Sequence, residues 1–319
     1  MFGRPYLTLS FDLENCAHYL FVNGALISNS AVRHPLTETQ PVNQFLRTAE
    51  NVIEIWIYKT ADRTMPPADW TVREGTKGKI VLRTRQAGDD EKTDQDVAVL
   101  AFDFPTAGNT PSTAGTSAAG RFDSARQMAT SASGDIVIGP PVVGPLAGDR
   151  HIKVSLAVTL PVKFPEWAFL RSENTGVSSV MPPDQAMKVY SELLAAYEVV
   201  WRKLQAKDVE GTLTFFDERS REMDRAYYRP DGTTRAELRQ WLKDTFADDD
   251  VTLAPIRPTV EGNLWQFQFG PTGTLLALTQ ARAQGGAILR FKPKKEDDLY
   301  SPVLPTLWRR QGDTFIIAR

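Results

Sequence analysis

The chain has 319 residues, of which 42% are hydrophobic and 24% charged, with a net charge of −2 and a pI of about 6.0. At roughly 100–200 residues per domain, this length predicts two domains, each able to bury a core. The charge balance argues against a dedicated nucleic-acid-binding protein, because such proteins are usually strongly basic.

The first half of the sequence is typical of antiparallel strands separated by turns. Asn23-Gly24 between two apolar runs is a strong hairpin signal, because both turn positions favour a positive φ. Short strands punctuated by Gly, Pro and Asn predict a β-sandwich over residues 1–165. Its candidate strands cover 6–13, 19–22, 25–27, 51–58, 79–84, 97–104, 135–138 and 151–162.

This half resembles the galactose-binding-like jelly-roll sandwiches in three segments: residues 19–24 (YLFVNG), 41–46 (PVNQFL) and 51–55 (NVIEI). The resemblance covers about residues 20–58. It implies a jelly-roll-like architecture and does not imply sugar binding, so we transfer no binding residues from that family.

Two further segments interrupt the strand pattern. Residues 105–134 consist mainly of Ala, Ser, Thr and Gly, which predicts a long flexible loop because so little apolar surface is available for burial. Residues 166–183 have prolines near both ends and a polar middle, which predicts the connection between the domains. The apolar side chains of Trp167, Phe169 and Leu170 are expected to dock at the domain interface.

The second half begins with helical periodicity after Pro182-Pro183. Residues 184–228 are amphipathic and are predicted to form one long helix, of which 209–228 form a second segment, and a third helix is predicted over Thr233–Phe246. From residue 252 to the end, short apolar runs predict strands. Helices followed by strands predict an α+β domain over residues 184–319. The apolar stripe of its first helix is predicted to contain Met187, Tyr190, Leu194, Tyr197, Trp201 and Leu204.

This domain resembles the NTF2-like family over about residues 185–319. The resemblance lies in the helix pattern and in the terminal segment 308–317 (WRRQGDTFII), which is similar to the last hairpin of many such domains. It implies a curled antiparallel sheet, or cone, with the long helix across its concave face. Enzymes of the family usually place His, Asp or Tyr in that cavity as a general acid or base.

The search for catalytic residues gives only weak candidates. The three histidines, His18, His34 and His151, all precede residue 166, so the cone has no His–Asp dyad. An Asp/Tyr pair in the cone, formed from Asp217 or Asp224 and Tyr227 or Tyr228, is one interpretation. Core or rim aromatics with a solvated Asp217 are the other, which we favour. We assign no catalytic residue; the candidates for the cone cavity are Tyr197, Asp217, Tyr227 and Tyr228.

The sequence also lacks the usual metal and cofactor motifs. Cys16 is the single cysteine, so an intramolecular disulfide is impossible, and the scattered histidines have no ligand spacing. Residues 88–96 are rich in Asp, but they lack the glycine and the terminal glutamate of a calcium loop. No glycine-rich phosphate loop is present. We therefore expect no metal and no cofactor.

Two acidic segments are either solvated loops or surfaces that steer a basic partner towards the chain. These candidate partner-binding residues are Asp89, Asp90, Glu91, Asp94 and Asp96 in the first segment, and Asp248, Asp249 and Asp250 in the second.

Two joined domains without a catalytic constellation resemble bacterial immunity proteins of type VI secretion and related polymorphic-toxin systems. The resemblance implies a non-catalytic protein that binds and occludes a cognate toxin, such as a nuclease effector, that is basic in charge. The alternatives are an enzyme or binding protein that uses the cone cavity, and a carbohydrate-binding accessory module. A deep polar pocket would favour the former, and an exposed aromatic platform the latter.

No signal peptide or membrane-spanning run is visible in the sequence, so we expect a cytoplasmic protein with no nucleic-acid or membrane partner. The sequence does not define its oligomeric state.

Overall fold

The computed structural model describes residues 4–60, 69–117, 120–123, 128–131, 136–146, 150–178, 181–256, 265–279, 287–293 and 302–319. The chain divides into two compact units, Met1–Trp167 and Ala168–Arg319. The described strands form four antiparallel sheets, and each sheet takes all its strands from one unit. The protein is therefore mostly β, with a helical region in its C-terminal unit.

Antiparallel strands build the first unit. One sheet has the order β4-β1-β6-β7-β8, and the other has the order β3-β2-β5-β13-β11-β10-β9, with β12 also paired to β13. The strands are β1 (Pro5–Glu14), β2 (His18–Val22), β3 (Ala25–Ser30), β4 (Leu36–Pro41), β5 (Ala49–Tyr58), β6 (Thr76–Gln86), β7 (Gln95–Phe104), β8 (Thr113–Ser117), β9 (Gly120–Asp123), β10 (Met128–Ser131), β11 (Val137–Ile138), β12 (Val142–Pro145) and β13 (His151–Leu160).

Alternation of side chains along the strands creates the core of this unit. Leu9 of β1 pairs with Leu82 of β6, and both are at most 1% exposed. Successive residues point to opposite faces, so every second apolar residue reaches the same side of the sheet. Gly78 of β6 allows close packing, since a Cβ at this position would lie 2.5 Å from the ring of Phe102 and 2.6 Å from Leu13.

The prediction of a flexible loop over residues 105–134 is wrong for much of that segment, because the segment contains β8, β9 and β10. β8 pairs with β7, and β10 pairs with both β9 and β11. Strand pairing satisfies backbone donors and acceptors whatever the side chains are, and an existing strand supplies the partner. Composition alone therefore misses these strands. Residues 118–119, 124–127 and 132–134 of the predicted loop lie outside the described residues.

The second unit begins with helices and continues with strands. Its elements are α1 (Pro183–Gln205), α2 (Val209–Leu213), α3 (Asp217–Ala226), α4 (Thr233–Ala247), β14 (Val251–Leu253), β15 (Gln266–Phe269), β16 (Leu275–Thr279), β17 (Phe291–Pro293), β18 (Trp308–Gln311) and β19 (Thr314–Ile317). The predicted third helix is confirmed by α4 to within one residue. β15, β16, β18 and β19 form a sheet in that order, and β14 pairs with β17.

The predicted helical stretch 184–228 is divided where Lys207 adopts a left-handed backbone conformation with φ 54°. Asp208 follows and caps α2 by accepting a hydrogen bond of 2.8 Å from the Gly211 N–H. The left-handed residue ends α1, and the cap begins a new helix.

Helix α1 packs its apolar face on the four-stranded sheet. Leu193, Tyr197 and Val200 are at most 2% exposed and belong to one core cluster with residues of β16 and β18. Leu194 and Trp201 are only partly buried in this cluster. Met187 is 47% exposed, so its predicted place on the buried stripe is wrong.

The predicted connection 166–183 is divided between the two units. Trp167 belongs to the first unit, where its indole N–H donates to the Leu46 carbonyl at 2.6 Å. From Ala168 onward the segment packs into the second unit. There Phe169 is fully buried, and the Thr175 hydroxyl donates to the Gly273 carbonyl at 2.8 Å. Residues 179–180 lie outside the described residues.

Candidate functional site

Tyr197, a candidate for the cone cavity, is a core residue of the second unit. It is 2% exposed, and its ring centroid lies 4.8 Å from that of Trp308. Its hydroxyl accepts hydrogen bonds from the Leu278 N–H at 3.4 Å and from the Thr306 hydroxyl at 3.1 Å. Burial raises the pKa of Tyr197. The hydroxyl therefore serves as a hydrogen-bonding centre inside the core.

Asp217 does not form the hypothesised pair with Tyr227. Asp217 begins α3, whereas Tyr227 and Tyr228 follow its end, and ten residues of α-helix span about 15 Å. The Asp217 carboxylate instead accepts a hydrogen bond of 2.8 Å from Arg235 Nε. Tyr228 has a left-handed backbone conformation, with φ 57°. The three candidates around α3 therefore do not converge on one reacting position.

Asp224 is the most buried carboxylate of α3, and it has a structural role. It is 0% exposed and accepts hydrogen bonds from the Gly232 N–H at 2.7 Å and from the Thr234 N–H at 2.8 Å. The Thr234 hydroxyl donates to it at 2.5 Å. Asp224 thus caps α4 from the preceding helix and holds the connection between α3 and α4.

Other carboxylates of this unit form ion pairs with arginines near the end of the chain. Arg309 donates two hydrogen bonds to Glu218, at 2.8 and 2.6 Å. Arg319 donates to Glu222 at 2.6 Å, and its side chain is 3% exposed. Glu222 also accepts the Ala168 N–H at 2.7 Å. These pairs connect α3 to the C-terminal strands and to the segment that precedes α1.

A pocket of about 350 Å³ opens beside α1. Neither Asp217 nor Tyr227 lines this pocket, whose lining is largely apolar, and the Trp201 indole N–H beside it already donates to the Ala254 carbonyl at 2.8 Å. The pocket therefore does not provide the deep polar site that an enzyme with those residues would need. Its lining residues are Glu198, Trp201, Arg202, Pro255 and Ile256.

The first acidic segment lies in the connection between β6 and β7, and several of its charges are already paired. Asp94 contacts Arg85 at 2.8 Å, and Asp96 contacts Arg83 at 3.0 Å. Asp90 caps the short 3-10 helix that follows it, by accepting the Lys92 N–H at 2.9 Å. Asp89 and Glu91 are exposed, although Glu91 also lies 3.8 Å from Arg85. These pairings reduce the field that the segment projects.

The second acidic segment, Asp248–Asp250, directly follows α4, and all three residues are exposed. The Asp248 carboxylate accepts the Asp250 N–H at 2.8 Å, which forms a tight local turn. Within the described part of the chain, neither Asp248 nor Asp249 forms an ion pair. The negative charges of Asp248 and Asp249 are therefore less compensated by ion pairs than those of the first segment.

Sequence reasoning missed a cluster of aromatic residues in the first unit, which we call the aromatic face. The cluster lies on one side of three neighbouring strands and consists of Tyr19, Phe21, Trp56, Tyr58 and His151. Ring centroids lie 4.8 Å apart for Phe21 and Trp56, 5.3 Å apart for Tyr19 and Tyr58, and 4.3 Å apart for Tyr58 and His151. Phe21 is buried, whereas the other four rings are half-buried.

Titratable groups accompany the aromatic face. Glu54 accepts a hydrogen bond from the Trp56 indole N–H and lies 3.8 Å from Lys153; burial raises its pKa. His151 Nε2 is buried, and within the described ranges no hydrogen-bond partner meets it. Burial, followed by the charges of Arg150 and Lys59, lowers the pKa of His151 to about 4. The imidazole is therefore neutral near pH 7.

The sequence contained part of the signal for this face. Tyr19 and Phe21 are two residues apart, as are Trp56 and Tyr58, so each pair lies on one side of its strand. The missing information was the register, which places Tyr19 opposite Trp56 and Tyr58 opposite His151.

Across the described ranges, no group of three His, Cys, Asp or Glu side chains is arranged to hold a metal ion. No helix among the described residues is long and apolar enough to cross a membrane. Comparison of the chain with protein-family models, with curated proteins and with solved structures finds no match.

Proposed function

We propose that this chain is a non-catalytic interaction protein, a cytoplasmic immunity protein that binds and occludes a cognate bacterial toxin such as a nuclease effector of type VI secretion. One observation carries the non-catalytic part of this proposal. The acid–base candidates of the second unit hold its structure together: Tyr197 bonds within the core, Asp217 pairs with Arg235, and Asp224 caps α4.

The proposed architecture is a jelly-roll-like β-sandwich followed by an NTF2-like cone. Two antiparallel sheets with buried apolar rows support the sandwich. The packing of α1 on the sheet of β15, β16, β18 and β19 supports the cone. In this interpretation the cone is a scaffold, because its interior is filled by side chains such as Tyr197 and Trp308.

An inhibitor of this kind needs only a complementary surface. Standard specific interfaces bury about 1,200–2,000 Å² in total, which a chain of this size can supply. The exposed turn Asp248–Asp250 supports a basic partner, since exposed negative charges accelerate the encounter with a positively charged protein.

Co-expression with each neighbouring toxin gene tests the proposal, with cell survival as the readout. Against the toxin that is neutralised, surface plasmon resonance compares the wild type with a variant carrying Asp248→Asn, Asp249→Asn and Asp250→Asn. We expect slower association of the variant, with a smaller difference at high salt because exposed charges are screened within about 10 Å at 0.1 M. Dissociation should change less, because buried anchors determine it.

A matched variant carrying Asp89→Asn, Asp90→Asn and Glu91→Gln removes the same number of charges from the first acidic segment, and should slow association less. Failure to rescue cells from any neighbouring toxin, together with turnover of a small molecule that Asp217→Asn or Tyr227→Phe abolishes, would establish an enzyme instead.

A further inference from the structure

The aromatic face departs from the usual composition of a sheet surface that meets water. On β5, Ile53, Ile55 and Ile57 are at most 1% exposed and face the core. The alternate positions of a sheet with one solvated face are normally polar. Here two of these alternate positions hold Trp56 and Tyr58, and both rings remain half-buried rather than sealed in a core.

The rings are tilted relative to one another, which gives a faceted surface rather than a flat one. The interplanar angle is 41° between Tyr19 and Tyr58, 57° between Phe21 and Trp56, and 56° between Tyr58 and His151. Sites for small molecules are usually concave, whereas this surface is the face of three adjacent strands. Trp and Tyr are also the residue types that most often anchor protein interfaces.

The surface continues onto the neighbouring edge strand. In β12, Val142 pairs with Ser155 and Gly144 pairs with Lys153, so both lie on the side of the sheet that carries the aromatic face. Val142 is 55% exposed. A Cβ built at Gly144 would meet nothing within 4 Å, so the space beside Lys153 is open.

The charges around the aromatic face are predominantly positive. Lys59 and Arg150 both act electrostatically on His151, and Lys153 lies in the row of Trp56. Among the described residues, neither Lys59 nor Arg150 has a carboxylate partner. Glu54 lies 3.8 Å from Lys153 and also accepts the Trp56 N–H. Besides the buried Lys59, the exposed Arg150 and the partly exposed Lys153 thus lie near a single carboxylate, in a chain whose net charge is −2.

His151 adds an unused polar atom to this surface. Its Nε2 is buried and has no hydrogen-bond partner in the described part of the chain, although its ring contacts Tyr19, Trp56 and Tyr58. Buried polar atoms in proteins are nearly always paired, so an orphaned one beside half-buried rings is a position where a bound group can supply the missing bond.

We infer that the aromatic face docks an acidic protein segment that carries an aromatic side chain. The aromatic side chain packs among Tyr19, Trp56 and Tyr58, and the acidic residues beside it meet Arg150 and Lys153. The segment also supplies a polar group to His151 Nε2. This surface and the turn Asp248–Asp250 have opposite charges, so they select different partners.

The test uses the full chain and a random copolymer of Glu and Tyr as the probe, with binding measured by biolayer interferometry. We expect saturable binding to this copolymer, weaker binding to polyglutamate, and none to a copolymer of Lys and Tyr. Arg150→Glu, at an exposed position, should weaken binding about tenfold. Trp56→Leu should weaken it at least as much while the thermal unfolding midpoint confirms that the variant folds.

Lys163→Glu is the matched control, since it makes the same charge change at another exposed position of the first unit. An equal loss from Lys163→Glu would show general charge attraction and overturn the inference. Equal affinity for polyglutamate and for the Glu–Tyr copolymer would exclude the rings as the anchor and also overturn it. So would a preference for a neutral oligosaccharide or a single-stranded oligonucleotide, which would assign the face to another class of ligand.

This test is independent of the proposed immunity function. Failure of the copolymer to bind overturns the docking surface and leaves toxin neutralisation untouched, whereas failure of the survival assay does the reverse.

Discussion

The two units differ in how they accommodate positive charge. In the C-terminal unit, Arg309 and Arg319 each meet a carboxylate within 2.8 Å, at side-chain exposures of 8% and 3%. At the aromatic face of the N-terminal unit, Lys59 and Arg150 have no carboxylate partner within the described residues. A buried ion pair stabilises the fold only where its geometry is good, whereas an exposed cation beside the rings, such as Arg150, remains available to a partner.

Arg219 departs from the pattern of the C-terminal unit. Its guanidinium lies 5.7 Å from the Phe216 ring centroid, and burial together with the charge of Arg319 lowers its pKa to about 10. Contact with an aromatic ring replaces a carboxylate there, as in a cation–π interaction. The buried arginines that pair with carboxylates of α3 are therefore Arg309 and Arg319.

Removal of one member of a buried ion pair should lower the free energy of unfolding more than any other change considered below. Glu222→Ala removes the Glu222 carboxylate from Arg319 and the acceptor of the Ala168 N–H. We expect a loss of about 3–5 kcal/mol in the free energy of unfolding, because removing one member of a buried ion pair is strongly destabilising. Chemical denaturation measures the loss. Lys77→Ala, which breaks the exposed pair with Glu14, is the control and should leave the midpoint unchanged. Equal losses of stability for the two variants would mean that the buried ion pair contributes no more to stability than an exposed one.

The next effect is a dependence of stability on pH. The pKa of His151 falls from 6.5 to about 4 on folding, so the unfolded chain binds the proton more tightly. The contribution of His151 is complete above pH 6.5 and is lost as the pH falls from 6.5 through 4. Its limit is about 3 kcal/mol, at roughly 1.4 kcal/mol per pKa unit. His151→Gln should flatten the stability profile in this window.

His34→Gln, at an exposed position, is the control for this measurement and should preserve the slope. His18, whose pKa burial also lowers, contributes in the same direction in both variants. Glu54 acts oppositely, since its raised pKa gives a contribution that is present at low pH and lost as the pH rises through the folded value. An unchanged slope in His151→Gln would show that this imidazole is solvated.

A smaller effect is expected at the cap of α4. Asp224→Ala removes the acceptor for Gly232 and Thr234, and should cost about 2 kcal/mol. Asp224→Asn keeps one acceptor oxygen and should cost about half as much. Thermal unfolding followed by circular dichroism ranks the two variants. If Asp224→Asn were as damaging as Asp224→Ala, the charge rather than the hydrogen bonds would hold the helix.

The smallest effect should have the opposite sign. Lys59 is 6% exposed, and Lys59→Met keeps its buried apolar stem while removing an unpaired charge. We expect a gain of up to about 1 kcal/mol in unfolding free energy, measured by denaturation, because no pair is broken. Lys163→Met, at an exposed position, is the control and should change nothing. A loss comparable to that of Glu222→Ala would reveal an anionic partner and remove the contrast between the units.

Local features made part of the fold predictable. α4 follows from its own apolar period, and α1 begins at Pro183 as the double proline indicates. The strands of residues 113–131 were not predictable, because their stability depends on pairing with β7 and β11 rather than on bulky side chains of their own. The same reason explains why residues 168–178 join the second unit instead of forming a free linker.

The candidate partner-binding sites were also predictable only in part. The exposure of Asp248–Asp250 followed from composition, since three successive aspartates cannot be buried without partners. The pairing of Asp94 with Arg85 and of Asp96 with Arg83 required the hairpin register. Composition therefore predicted where the charge lies, and the register decided how much of it remains uncompensated.

By itself, the sequence determined the alternation that puts Trp56 and Tyr58 on one side of β5, because that period belongs to any strand. Only the tertiary structure decided that Tyr19 and His151 lie beside them, since the sheet places β2 and β13 on the two sides of β5 although β13 begins more than ninety residues after β5 ends. Contacts between residues so far apart in sequence depend on the global arrangement of strands, which no local pattern encodes.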